Sequence, residues 1–165
     1  MQPASRISLA DNWPGLTATV FQRPGHPDTV QVFVQLEESS EEICRFVVFE
    51  MHERFDRSLC GLAYVDWPRL EAELQLGGCW WLDGLRQRPS SGTAARTNIS
   101  AIVRALFDSP QFLAWMPGIR HVYMFPAGFG TGSELVRQKI RDHYVQHMRA
   151  RAVPGSEYLM ELPLP

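Results

Sequence analysis

The residues best suited to chemistry fall close together, between positions 79 and 97. Cys79-Trp80-Trp81-Leu82-Asp83-Gly84-Leu85 is a short apolar run that holds one carboxylate. A carboxylate within such a strand must reach solvent or a cleft or find a donor, because burying it alone is costly or leaves it protonated. At a cleft, Asp83 is placed to move a proton; at a strand end it would instead accept from a loop amide. Arg86 follows, and then Arg88-Pro89-Ser90-Ser91-Gly92-Thr93-Ala94. Arg86 and Arg88 supply cations, Ser90, Ser91 and Thr93 supply hydroxyls, and Gly92 allows close backbone approach. A loop of this kind leading into a helix N-terminus aims N–H groups at an anion, which would suit the pyrophosphate of a nucleotide or of coenzyme A. An ordinary connecting loop has the same composition, so both readings stay open here.

Other candidates carry less. The histidines are His26, His52, His121, His143 and His147. His143 and His147 have the i, i+4 spacing of metal ligands on a helix, but no third ligand is evident, so a solvated pair and no metal site are expected. Tyr144 falls on the apolar face of the same helix, where a tyrosine packs with its hydroxyl tethered or serves as a proton donor. Gly128, Gly130 and Gly132 lack the Lys-Ser/Thr of a phosphate loop and the Gly-x-Gly-x-x-Gly spacing, so a turn and helix cap are expected there. Cys44, Cys60 and Cys79 are odd in number and widely spaced, which fits free thiols rather than a disulfide or zinc framework.

The elements that must position these residues can be read from periodicity. Leu16–Gln22 and Thr29–Leu36 alternate about a turn-rich Arg23–Asp28, the pattern of a β-hairpin. Residues 41–55 are ambiguous: Ser39 with Glu42 forms a capping box before a helical spacing of Ile43, Phe46, Val47, Met51 and Phe55, whereas Arg45–Phe49 is equally a β segment. Gly61–Trp67 reads as a strand, and Pro68, Leu70 and Leu74 as a short helix ended by Gly77-Gly78. Trp80–Leu85 reads as a central strand. Thr97 or Asn98 caps a helix whose stripe is Ile99, Ile102, Val103 and Leu106. Ser109-Pro110 opens a second short helix, Ile119–Phe125 is a strand, and Ser133 to about Arg151 is a helix bearing Val136, Ile140, Tyr144 and Met148. Tyr158–Leu162 is a last strand. Irregular alternation of strands and helices gives one α+β domain over residues 1–165, with a mixed, mostly antiparallel sheet and packed helices.

Composition narrows the function classes. The 165 residues are 45% hydrophobic and 21% charged, which excludes a disordered or fibrous chain. Sixteen basic residues against 18 acidic give a net charge of −2, which removes a whole-protein case for nucleic acid. No apolar run has the length of a membrane helix. Fifteen of the basic residues are arginine, Lys139 being the exception, a bias that fits a GC-rich genome, so a bacterial source is expected. The first six residues lack the apolar region of a secretory signal, so a cytoplasmic, reducing compartment is expected.

Residues 61–162 resemble the later half of the acetyltransferase (GNAT) fold. Trp80–Leu85 resembles its strand, Arg88–Ala94 its Arg/Gln-x-x-Gly-x-Gly/Ala loop with one residue more, and Thr97–Phe107 its helix. Ile119–Phe125, Ser133–Met148 and Tyr158–Leu162 resemble the remainder. Asn12-Trp13-Pro14, Leu62–Trp67 and Trp80-Trp81-Leu82-Asp83 are similar to segments of the toxin-activating lysine acyltransferases of bacterial RTX systems. That likeness places the family's catalytic aspartate on Asp83; where its histidine precedes Asn-Trp-Pro, this chain has Ala10-Asp11. The resemblance implies an N-acyltransferase that takes acyl-CoA or acyl carrier protein as co-substrate, with no resident cofactor. Arg86, Arg88, Ser90, Ser91, Gly92 and Thr93 would hold the donor's phosphates. Asp83, His26 or His52 would act as base, and Tyr144 would protonate the leaving thiolate. The partners implied are an acyl carrier protein or a protein substrate, and a homodimer stays open. The rival reading is a non-enzymatic bacterial protein-binding module, an immunity protein, chaperone or regulator, for which five tryptophans and nine phenylalanines would furnish an interface.

Overall fold

The computed structural model describes residues 4–52, 67–87, 97–126, 134–156 and 158–165. Its strands are β1 (Ser5–Ser8), β2 (Leu16–Arg23), β3 (His26–Leu36), β4 (Glu42–Glu50), β5 (Cys79–Gln87), β6 (His121–Met124), β7 (Arg151–Ala152) and β8 (Met160–Leu162). Its helices are α1 (Trp67–Leu76), α2 (Ile99–Phe107), α3 (Pro110–Leu113) and α4 (Glu134–Met148). The architecture is mixed α+β, with an eight-stranded, mostly antiparallel sheet in the order β1-β2-β3-β4-β5-β6-β8-β7. The chain divides into two compact units, residues 1–49 with 82–117 and residues 50–81 with 118–165.

The first unit is built on β1 to β4 and the second half of β5. Alternation fixes its core: Ala18 and Val20 of β2, and Val30, Val32 and Val34 of β3, are completely buried. The outward positions pair across the strands, where Phe21 stacks on Phe33 at 5.4 Å. The hairpin closes more tightly than the turn-rich stretch suggested. Arg23 is already paired with His26, leaving Pro24-Gly25 as the turn.

Residues 42–50 resolve the ambiguity in favour of a strand. Cys44, Phe46 and Val48 are buried at period two, and β4 pairs antiparallel with β3 from Glu42 to Phe49. Ser39 caps no helix. Its Oγ accepts from the Glu41 amide at 3.3 Å inside a turn, where Ser40 takes a φ of 57°. A run of β-branched and aromatic residues beside an existing edge gains a full ladder of hydrogen bonds, and that outweighs a local cap worth about 1 kcal/mol. The strand expected at 61–66 lies outside the described residues; Trp67 opens α1 instead.

Helix α2 begins as its sequence implies. The Asn98 side chain accepts the Ala101 amide at 3.1 Å, and Ile102, Val103, Leu106 and Phe107 are fully buried. The short α3 drops Phe112 edge-on against Phe107 at 5.0 Å and Phe46 at 6.3 Å.

In the second unit β5 pairs parallel with β6 through Cys79–His121, Trp80–Val122 and Trp81–Tyr123. β6 pairs antiparallel with β8, and β8 with β7. Helix α1 buries Leu70 and Leu74 and ends at Leu76, just before Gly77. Gly78 has a φ of 76°, and a Cβ there would stand 2.3 Å from the Gly118 carbonyl oxygen, so only glycine fits. The Gly78 carbonyl in turn accepts the Arg120 and His121 amides at 2.7 and 3.1 Å, which seats β6. Helix α4 ends at Met148, three residues before the expected stop, because Arg149 leaves the helix with a φ of 58°. Among the described residues no helix is long and apolar enough to cross a membrane.

Candidate functional site

Asp83 stands in β5 just past the buried Trp80-Trp81-Leu82 run, and it is exposed. Its Oδ1 accepts the amide of Gly84 at 2.8 Å, and Gly84 has a φ of 63°. The carboxylate thus reaches solvent at a local kink of the strand. Arg86, on the same strand, is also exposed. Arg88, Ser90, Ser91, Gly92 and Thr93 lie outside the described residues. Beyond them, α2 presents the N-terminal turn that Asn98 caps.

The other expected residues are spread through the fold. His26 is exposed at the β2–β3 turn, and His52 is exposed just after β4. Tyr144 is half-buried on α4, and that burial pushes its hydroxyl above the ordinary tyrosine range, so it stays a proton donor at neutral pH. The apolar stripe of α4 is graded: Met148 is buried, Ile140 and Tyr144 are intermediate, and Val136 is exposed. His143 and His147 approach with ring centroids at 4.5 Å, and desolvation, with the His147 charge second, lowers the His143 pKa. Among the described residues no group of three His, Cys, Asp or Glu could hold a metal ion.

A cluster that the sequence reading passed over lies in the second unit. His121, at the start of β6, sits between two carboxylates. Its Nδ1 is 2.5 Å from Glu161 Oε1 on β8, and its Nε2 is 3.2 Å from Glu73 Oε2 on α1. The Nδ1 contact with Glu161 is a hydrogen bond, and the Nε2 contact with Glu73 is a close approach of ring nitrogen and carboxylate. Arg151 closes one end through Glu161 Oε2 at 3.2 Å. Arg120 closes the other, with both terminal nitrogens 3.3 Å from Glu73 Oε2. Arg120 also donates to the Glu73 and Gly77 carbonyls at 3.1 and 2.8 Å, satisfying the open C-terminal end of α1. The result is an alternating chain, Arg120–Glu73–His121–Glu161–Arg151, linking α1, β6, β8 and β7.

Two buried groups adjoin this chain. Tyr123 is 4% exposed and stacks on His121 at 5.6 Å, and burial pushes its hydroxyl far above the usual tyrosine range. Cys79 is completely buried; its thiol donates to the Glu73 carbonyl at 3.5 Å, and burial pushes its pKa up to about 11. Strand alternation puts Cys79, Trp81, His121, Tyr123 and Glu161 on one face of the sheet.

The pairing of His121 with Glu161 joins residues 40 apart, so no local spacing announces it. The one signal in the sequence is Arg120-His121 opening an otherwise apolar strand. A separate hollow of about 150 Å³ in the first unit is lined by Asp11, Asn12, Trp13 and Ser109, which gives the Asn-Trp-Pro segment a surface of its own. No protein-family model, curated protein or solved structure matches the chain.

Proposed function

We propose that this chain transfers an acyl group from a thioester donor, coenzyme A or an acyl carrier protein, to an amine. The observation that supports the reading is the element order from residue 79 onward: strand β5, loop, helix α2 with the short α3 after it, strand β6, helix α4, and strand β8 after the two-residue β7. That is the order implied by the acetyltransferase resemblance, with the Arg/Ser/Gly loop falling between β5 and the capped turn of α2. In this reading the loop and the α2 amides hold the donor's phosphates. Asp83, exposed and bound only through its own neighbouring amide among the described residues, is free to take the amine's proton as nitrogen attacks the thioester carbonyl. The C–S bond then breaks, and the proton taken by Asp83 passes to the thiolate, which leaves as a thiol, so that Asp83 is again a carboxylate.

A protein-binding module is the second reading, and α4 favours it, since Leu135 and Val145 are 65% and 49% exposed. Thermal unfolding with saturating acetyl-coenzyme A, and separately with an acylated carrier protein, divides the two. A ligand bound by the folded state at 100 times its Kd adds about 2.7 kcal/mol. Acyl transfer requires an upward shift with at least one donor. No shift and no thiol release with either donor would remove this reading and leave the module.

A further inference from the structure

In the second unit, α1, β6 and the segment between β7 and β8 border an open cavity of about 100 Å³. Its lining carries groups that no internal contact uses up. The Tyr123 hydroxyl has no hydrogen-bond partner among the described residues, although the residue is only 4% exposed. Glu73, which lines the cavity, engages its partners through Oε2, so among the described residues Oε1 remains an open acceptor. The Ser156 Oγ accepts the Leu159 amide at 2.9 Å, so its own hydrogen remains to be given. A buried tyrosine with an unused hydroxyl, an unused carboxylate oxygen and a hydroxyl donor therefore line one small hollow.

We infer that this cavity binds a small zwitterion, an α-amino acid, with its ammonium on Glu73 Oε1 and its carboxylate on the Tyr123 and Ser156 hydroxyls. Complementarity selects this class. The two carboxylates of the cluster, Glu73 and Glu161, are paired with the guanidinium groups of Arg120 and Arg151. Glu73 Oε1 can only accept and so suits an ammonium, whereas the Tyr123 and Ser156 hydroxyls can donate and so suit a carboxylate. A ligand carrying both charges meets both and adds no net charge. Size agrees, since a cavity of about 150 Å³ holds the six heavy atoms of benzene, and about 100 Å³ suits the five of glycine. A larger amino acid would place its side chain at the mouth. The donors are held in advance, Tyr123 by stacking on His121 and His121 by its two carboxylates. The site lies wholly within the second unit and does not depend on the acyl-transfer reading.

The test is a titration of the ¹⁵N-labelled chain with glycine and alanine at neutral pH, with ethylammonium and acetate as single-charge probes. Saturable shifts are expected at the amides of His121, Val122, Tyr123, Val153, Ser156 and Leu159 with the amino acids, and about tenfold weaker binding of either single-charge probe. Tyr123→Phe removes only a hydroxyl that bonds nothing among the described residues, so it should fold normally and weaken the amino acids by about tenfold or more. Glu73→Gln should do the same selectively for ethylammonium. Absence of saturable shifts, shifts confined to other residues, equal binding of a single-charge probe, or undiminished binding by a folded Tyr123→Phe protein would each overturn the inference.

Discussion

Gly78→Ala is expected to damage the second unit far more than its neighbour Gly77→Ala, although both glycines have a φ of 76°. The left-handed region costs an L residue about 1–2 kcal/mol, and that cost is common to both. Around Gly77 a new Cβ meets nothing within 4 Å. At Gly78 it stands 2.3 Å from the Gly118 carbonyl oxygen and 3.2 Å from the Arg120 amide nitrogen, and neither backbone atom can swing aside. Relieving the overlap must push β5 from β6 and stretch the bonds from Arg120 and His121 to the Gly78 carbonyl. Overpacking of that kind costs a further 1–3 kcal/mol or so. Loss of backbone freedom in the unfolded chain returns about 0.5 kcal/mol in both variants. The net is about 3 kcal/mol for Gly78→Ala and about 1 kcal/mol for Gly77→Ala. For a chain of this size that is a fall in Tm of roughly 6–12 °C against roughly 2–4 °C. Calorimetry on the two proteins measures it. Equal melting temperatures would refute the claim that this contact seats Arg120 and His121.

Three further outcomes follow from the packing and charges. Phe112→Ala empties a fully buried site between Phe46 and Phe107 and should cost about 3–5 kcal/mol by denaturant titration, where a loss under 1 kcal/mol would mean the first unit's core is misplaced. Glu161→Ala removes the partner of both His121 and Arg151 and should cost about 2 kcal/mol, whereas Arg151→Ala, on a side chain 65% exposed, should cost less than about 1 kcal/mol. Burial pushes the Cys44 and Cys79 thiols up to about 12 and about 11. Above pH 9 the unfolded chain loses these protons first, so stability should fall between pH 9 and 11 for Cys79 and on to 12 for Cys44. Below that window both thiols should resist alkylation in the native protein. Their rapid labelling at pH 8 would contradict the burial.

What could be read in the sequence follows the range of the interactions. The β2–β3 hairpin, the Asn98 cap and the buried β5 run were legible because each rests on neighbours within a few residues. Residues 42–50 were not, because local spacing suits a helix and a strand alike, and pairing with β3 decides between them. The two-residue strand β7 has no periodicity to show, and β1 is four residues with a single buried position, Ile7. Asp83 is exposed within β5 and accepts the Gly84 amide, so it reaches solvent and also makes the backbone contact that the sequence offered as its alternative. The His121 cluster escaped notice because Glu73, His121 and Glu161 come from a helix and two strands far apart in sequence, and only the sheet register puts them on one face.

The account rests most heavily on Asp83, and thioester cleavage by the Asp83→Asn protein tests it directly. The side chain is exposed and accepts one hydrogen bond, from the Gly84 amide, that an asparagine oxygen can also accept. The variant should therefore fold with a stability change of about 1 kcal/mol or less. Acyl-CoA and an acylated carrier protein, each offered with an amine acceptor, give the readout as released thiol. The account predicts measurable release by the wild-type chain with at least one donor and a loss of about 100-fold or more in the folded variant. Release that is unchanged in folded Asp83→Asn, or absent from the wild-type chain with both donors, would contradict it.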